Sequence, residues 1–306
     1  MHNSKYGDFG DITYTEKTRA VIKVQDGCDR FCSYCIIPFA RGRVRSRKPD
    51  SVLKEIEDIS KKGIKEVVIT GIHVASYGKD FKNNYSLIDL LEEINKIEGI
   101  KRIRLGSIEP LWITDEVIYR LKKLEKLCHQ FHLSLQSGCT ETLKRMNRRY
   151  TAEEFKEIAS KLREAFSDCI LTTDIIVGFV GETEEEFNIT YEFLKNIKFY
   201  KTHIFKYSER KGTKAAEMKE QVAGNIKEER SKLLIKLSEE NEKSYLKDYI
   251  GEEVEVLFEE KDEEFFKGHT ANYLLVKAKS DIDISNKIVK VKIKKQENLE
   301  LIGNVM

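Results

Sequence analysis

From Arg19 to about Tyr207 the chain alternates two hydrophobic rhythms: short apolar runs, and apolar residues three or four positions apart. Ala20–Val24, Glu66–Thr70, Arg102–Leu105, Phe131–Leu135, Ile170–Val177 and Thr202–Phe205 read as strands, two of which stop at Gly71 and Gly178. Between them, Val52, Leu53, Ile56 and Ile59 space a helix over 50–62 that ends at Gly63, and further helices are predicted over 87–97 and 114–124. Thr151-Ala152-Glu153-Glu154 and Thr183-Glu184-Glu185-Glu186 are capping boxes, in which the threonine and the last glutamate satisfy each other's free backbone N–H groups. They open helices predicted to reach Phe166 and about Asn196. A longer amphipathic helix is predicted over 225–245.

Strand–helix units of this length argue for a parallel sheet with helices outside. Six units are too few for an eight-fold barrel, and periodicity alone fits either an open or a partly closed sheet. After Tyr249 the rhythm changes. Glu253–Leu257, Tyr273–Val276 and Lys287–Ile293 alternate with period two and predict a small antiparallel barrel or sandwich.

With 306 residues, 40% hydrophobic and 35% charged, there is enough chain for one large domain and a small one, and the composition excludes a disordered polypeptide. No apolar run approaches a membrane span, and residues 1–18 lack the apolar core of a signal peptide, so a cytoplasmic protein without a membrane partner is expected. A formal charge of +2 provides no global basic field. The basic residues cluster locally instead. Arg41, Arg43, Arg45, Arg47 and Lys48 read as a loop suited to phosphates. Lys144, Arg145, Arg148 and Arg149 read as a solvated helix end. Near the C-terminus, Lys287, Lys290, Lys292, Lys294 and Lys295, with Phe265 and Tyr273 as stacking surfaces, suit RNA, opposite an acidic stretch over 252–264.

The chemistry concentrates in Gly27-Cys28-Asp29-Arg30-Phe31-Cys32-Ser33-Tyr34-Cys35, which follows the first strand directly. In parallel sheets, ligands gather at the carboxyl ends of strands. A structural zinc site closes with four ligands, whereas three thiolates on an iron–sulfur cube leave one iron open. The alternative is a zinc knuckle that borrows a distant histidine such as His73 or His132. Cys128, Cys139 and Cys169 are scattered and read as small buried hydrophobes. Polar or small residues at the predicted strand ends, namely Gly71, Ser107, Glu109, Gln136, Asp174 and Gly178, form the candidate cofactor-binding rim. No side chain is singled out as catalytic.

The cysteine spacing, with Tyr34 before the last thiol, resembles the signature of radical S-adenosylmethionine (SAM) enzymes. Longer stretches resemble their methylthiotransferase branch: Thr18–Cys28, Cys35–Arg47, Leu133–Gly138, Thr173–Phe179 with Gly181-Glu182-Thr183, and Tyr207–Arg210 with Gly212-Thr213. Val180 and Lys206 stand where that branch commonly has proline. The resemblance implies an α/β fold, a partial (β/α)6 barrel over 17–246. It also implies a TRAM-like RNA-binding β-barrel over 247–306 and a linker remnant over 1–16.

By the same resemblance, Cys28, Cys32 and Cys35 would hold a [4Fe-4S] cluster. Its open iron would chelate S-adenosyl-L-methionine for cleavage to a 5′-deoxyadenosyl radical. The wording of Ile36–Arg47 and Gly71-Ile72-His73 is most similar to the threonylcarbamoyladenosine tRNA branch. The implied reaction adds a methylthio group to C2 of N6-threonylcarbamoyladenosine at position 37 of tRNA. The implied partners are the tRNA anticodon loop and a reductant such as flavodoxin or ferredoxin. Family members also carry an N-terminal domain with three more cysteines and a second cluster. No cysteine precedes Cys28 here, so sulfur insertion is expected only if that domain is supplied. Two rivals stand beside this reading: a methylthiotransferase acting on a ribosomal protein, and a non-catalytic metal-containing RNA-binding protein.

Overall fold

The computed structural model describes residues 18–306, so the linker expected over 1–16 lies outside the described residues. The first half of the chain forms β1 (Arg19–Asp26), α1 (Ile37–Arg41), β2 (Arg45–Ser46), α2 (Pro49–Lys61), β3 (Glu66–Gly71), α3 (Leu87–Asn95), β4 (Arg102–Leu105), α4 (Asp115–Leu121) and β5 (Gln130–His132). It continues with α5 (Thr140–Arg145), α6 (Ala152–Ala165), β6 (Ile170–Val177), α7 (Glu184–Ile197), β7 (Lys201–Lys206), α8 (Lys214–Glu217) and α9 (Gly224–Lys247). Five strands follow: β8 (Glu253–Asp262), β9 (Phe265–Thr270), β10 (Leu275–Lys279), β11 (Ile288–Glu297) and β12 (Glu300–Val305).

β1, β3 and β4 pair in parallel, as do β5, β6 and β7. Bridges at Ile103–Leu127 and Ile108–Leu133 carry the sheet from β4 towards β5. Six parallel strands therefore follow one another in chain order, and among the described residues no ladder returns from β7 to β1. This is the expected partial barrel. Both capping boxes form, at Thr151–Glu154 and Thr183–Glu186.

A parallel sheet covered by helices on both faces is apolar throughout. These strands alternate instead. Ala20, Ile22, Val67, Ile69, Ile103, Phe131 and Leu171 join Val52 and Ile56 of α2, Leu90 and Leu91 of α3, and Phe155 and Leu162 of α6 in one core. The intervening positions Arg19, Glu66, Arg102, Arg104, Gln130, His132, Thr172 and Asp174 are polar and meet one another on the inner face. Glu66 takes hydrogen bonds from Arg19 (3.0 Å) and Arg104 (2.8 Å), and Gln130 Nε2 donates to Thr172 Oγ1 (3.1 Å).

β8–β12 close into a barrel in the order β10-β12-β11-β8-β9 around Val256, Phe258, Phe266, Val276, Val291, Ile293 and Leu301. β9 and β12 depart from the predicted pattern. Gly268 sits inside β9 because the backbones approach closely there: a Cβ would fall 2.2 Å from the Leu257 carbonyl oxygen. Tyr273, expected in a strand, lies in a left-handed turn (φ 76°).

This barrel covers the amino-terminal ends of the parallel strands. Arg102 donates to the carbonyls of His269 (2.8 Å) and Glu255 (3.0 Å), and Arg19 pairs with Glu259 (2.7 Å). Tyr273 stacks on His269 (4.5 Å between centroids), with the Arg104 guanidinium 4.6 Å from its ring centre. The tyrosine expected to stack on RNA is therefore engaged within the chain.

Candidate functional site

The carboxyl ends of the strands, opposite the C-terminal barrel, carry the cysteine loop. Gly27 (φ +73°) turns the chain out of β1, and a Cβ there would lie 1.9 Å from the Arg43 carbonyl oxygen, so only glycine fits. The buried Gln25 side chain braces the turn. Its Nε2 donates to the carbonyls of Asp26 and Gly27 (2.7 Å each), and its Oε1 accepts from His73 N (2.7 Å). The far side of the loop is tied to distant segments. Ser33 N donates to the Met146 carbonyl (3.0 Å), Ser33 Oγ to that of Arg145 (2.8 Å), and Asn147 Nδ2 to that of Phe31 (2.8 Å).

Cys28, Cys32 and Cys35 are half-buried and unpaired, and line one cavity of about 150 Å³ together with Arg30, Tyr34, His73, Ser107, Glu109, Gln136 and Arg148. Burial pushes the Cys28 and Cys35 thiols up, and the neighbouring sulfurs push the same way. A bound cation reverses that penalty.

The ligand count separates the two metal readings. Three thiols on one zinc leave its fourth position without a protein ligand, which a closed structural site does not allow. An iron–sulfur cube instead takes one thiolate on each of three irons. Neither histidine completes a zinc knuckle. His73 Nε2 is held by Glu109 (2.8 Å), and His132 lies on β5, outside the lining of this cavity.

Glu109 organises the wall opposite the thiols. Besides His73, Arg30 (3.3 Å) and Arg148 (3.9 Å) lie against it. Burial raises the Glu109 carboxyl, but the His73 hydrogen bond and the charges of Arg148 and Arg30 outweigh it and hold it at about 2. A carboxylate with a depressed native pKa stabilises the fold above its unfolded pKa, and that contribution is lost as pH falls through the native value. Glu109→Gln is expected to cost on the order of 3 kcal/mol at pH 7. The difference from wild type shrinks from about pH 4.5 downwards and is gone near pH 2. Paired urea titrations across that range check this, and a difference independent of pH contradicts it.

Arg148 overturns the solvated reading of the second basic cluster. It is buried, its Nη1 lies 3.5 Å from Cys32 Sγ, and it donates to the Ser134 carbonyl (3.0 Å) and to Tyr150 (2.9 Å). Its neighbour Arg145 pairs with Glu186. In the first cluster, Arg47 is taken by Glu55 and Arg45 by Asp26 (3.4 Å), while Arg43, beside Asp29, is exposed. Only part of that run can meet phosphates.

A second cavity of about 300 Å³ adjoins the first, sharing Tyr34 and Gln136 and adding Asp174, Ile176, Phe205, Lys206, Tyr207, Ser208 and Arg210. Gln136 reaches both because its backbone is left-handed (φ 75°) and bonded into β6 through the Asp174 carbonyl and Ile176 N (2.9 Å each).

Of the rim predicted from the sequence, Ser107, Glu109 and Gln136 line the thiol cavity and Asp174 the second. Gly71 lines neither, and packs against Gln25, where a Cβ would lie 2.8 Å from Oε1. Gly178 also lines neither. Its N–H donates to Glu182 (2.8 Å), and a Cβ would meet Lys227 at 2.3 Å. Arg30 and Arg148 were not foreseen, because their place at the site depends on the fold and not on local pattern.

The profile of the radical SAM superfamily matches residues 22–194. The chain is 47% identical over 296 residues to the threonylcarbamoyladenosine tRNA methylthiotransferase MtaB of Bacillus subtilis, covering 95% of this chain and 65% of that protein. It is 41% identical over 293 residues to the tRNA-2-methylthio-N(6)-dimethylallyladenosine synthase of Caldicellulosiruptor saccharolyticus, covering 95% and 62%. It thus spans a little under two thirds of the length of these relatives. Among solved structures, the radical SAM methyltransferase TsrM of Kitasatospora setae superposes with a TM-score of 0.55 at 19% identity, over 64% of this chain and 38% of that one. Methylornithine synthase PylB does so at 0.52 and 14%, over 74% and 64%. These two similarities concern the fold alone. Since the profile spans more than half of the sequence and includes the cysteine loop, the chain belongs to the radical SAM superfamily.

Proposed function

We propose that the chain is the radical core of a tRNA methylthiotransferase that acts at C2 of N6-threonylcarbamoyladenosine 37. The observation that carries the reading is the three-thiol cavity adjoining, across Tyr34 and Gln136, a second cavity lined by aromatic, apolar and polar side chains. Similarity to the Bacillus subtilis enzyme favours the threonylcarbamoyl nucleoside over the dimethylallyl one. In this reading Cys28, Cys32 and Cys35 hold a [4Fe-4S] cluster, which supplies the electron that cleaves the sulfonium of SAM. The protein's own residues do the rest. Arg148 braces the Cys32 sulfur, and Glu109 fixes His73, Arg30 and Arg148 around the cofactor. The second cavity receives the adenine.

Nucleoside mass spectrometry of tRNA from a strain lacking the gene tests this. The expected result is loss of the methylthio form and accumulation of unmodified threonylcarbamoyladenosine. Unchanged tRNA, with a methylthio group missing from a ribosomal protein instead, refutes it.

A further inference from the structure

The inner face of the barrel carries a second candidate metal site, distinct from the thiols. In the register of β5, β6 and β7, His132 pairs with Thr172, and Asp174 pairs with His203. Residues two apart on one strand share a face, so His132 and Asp174 are diagonal neighbours and His203 lies beside Asp174. The ligand atoms of all three lie within 4.8 Å of one another. One edge, His132 Nε2 to Asp174 Oδ2, is 3.2 Å. Two ligand atoms on an ion with bonds of about 2.1 Å stand about 3.0–3.4 Å apart, so that edge already has coordination length. The exposed His203 ring has side-chain freedom to close the rest.

Two further observations point to a cation. His132 Nε2 is buried and makes no hydrogen bond: the Asp174 oxygen is near enough but off the hydrogen-bonding direction. The other ring nitrogen, Nδ1, is 3.1 Å from Thr172 Oγ1, which itself accepts from Gln130. A metal-bound histidine anchors its second nitrogen in this way, with the first presented to the ion. When Nδ1 carries the proton, the Nε2 lone pair points past a carboxylate oxygen only 3.2 Å away. An ion placed on that lone-pair direction can bond the nitrogen and the oxygen together.

We propose that His132, Asp174 and His203 form a two-histidine, one-carboxylate site for a divalent transition ion of the zinc, cobalt or iron(II) class. Three protein ligands leave coordination positions open. Asp174 also lines the second cavity, so an ion held by this trio would border that cavity. The proposal does not depend on the identity of the modified nucleoside.

The test is an oxygen-free Co²⁺ titration of the full chain carrying C28A, C32A and C35A, so that the thiols cannot compete. One equivalent is expected to bind, with visible bands of nitrogen and oxygen coordination. D174N and H203A, which alter a half-buried and an exposed residue, are expected to weaken binding at least tenfold. His132→Ala risks disturbing the sheet, so Thr172→Val is the companion variant: it keeps all three ligands, removes the anchor of Nδ1, and is expected to weaken Co²⁺ about tenfold. No binding to the parent, or equal affinity in D174N and H203A, overturns the site.

Discussion

Replacing any one of Cys28, Cys32 and Cys35 with alanine is expected to reduce SAM cleavage to background, and to leave protein that stays pale after iron and sulfide are supplied without oxygen. On a four-iron cube each thiolate would take a vertex of its own, so none of the three duplicates another. Among the described residues, no other thiol can stand in. Cys139 is buried away from the cavity lining. The Cys128 and Cys169 thiols are also buried, which pushes them up to about 11 and about 12, where the ligating thiolate is scarce. The side chains that do line the cavity are already engaged, Glu109 with His73 and Arg148 with Ser134 and Tyr150. Production of 5′-deoxyadenosine under reducing conditions is the readout. Undiminished production in any of the three variants would sink the assignment of the thiols.

Glu66→Gln is expected to destabilise the protein by about 3–5 kcal/mol, the usual cost of removing one partner from a buried charge network. Glu66 is fully buried at the start of β3, in register with Arg19 of β1 and Arg102 of β4, and it bonds Arg19 and Arg104. Burial raises its carboxyl, but Arg104, Arg19 and Arg102 together hold it below the ordinary carboxylate value, so it is charged at neutral pH. Glutamine keeps the shape and removes a negative charge that lies within 4 Å of the guanidiniums of Arg19, Arg102 and Arg104. Urea unfolding at pH 7 measures the effect. A change below about 0.5 kcal/mol, the size of an ordinary surface substitution, would show that the charge is not structural. The same guanidiniums hold the C-terminal barrel, since Arg102 donates to its carbonyls and Arg19 pairs with Glu259. The variant is therefore also expected to loosen that barrel, visible as faster amide exchange in β8 and β9.

The alternation of strands and helices was legible because each strand's outward residues and each helix's stripe bury against the same core, and period and burial agree. The capping boxes were legible for the same local reason. β9 and β12 were hidden because each contains a glycine that serves close backbone packing, which dilutes the period-two signal. Phe131–Leu135 was expected as one strand, but the ladder stops at His132. There the backbone moves between neighbours, with Ser134 bonding to Ile108 and Gln136 to Asp174. The cysteines were found by spacing alone. Arg148 was misjudged because a cluster of like charges has the same appearance in a sequence whether it is hydrated or folded over a sulfur. The polar inner face carried a signal that went unused: in a parallel sheet, a charge at every second strand position means that helices cover one side only.

The ties that hold the cysteine loop set an order of events during synthesis. Ser33 bonds to Arg145 at a sequence distance of 112 residues, and Phe31 to Asn147 at 116. At ordinary translation speed the ribosome needs roughly ten seconds to make that intervening stretch. Throughout that interval the thiols belong to a nascent chain with neither their arginine nor their wall. Iron and sulfide delivered so early would meet a flexible tripeptide-like chelator, open to oxidation and to the wrong metal. In the proposed reading, a cluster on these thiols gains its full setting only after the arrival of a segment encoded more than three hundred nucleotides downstream.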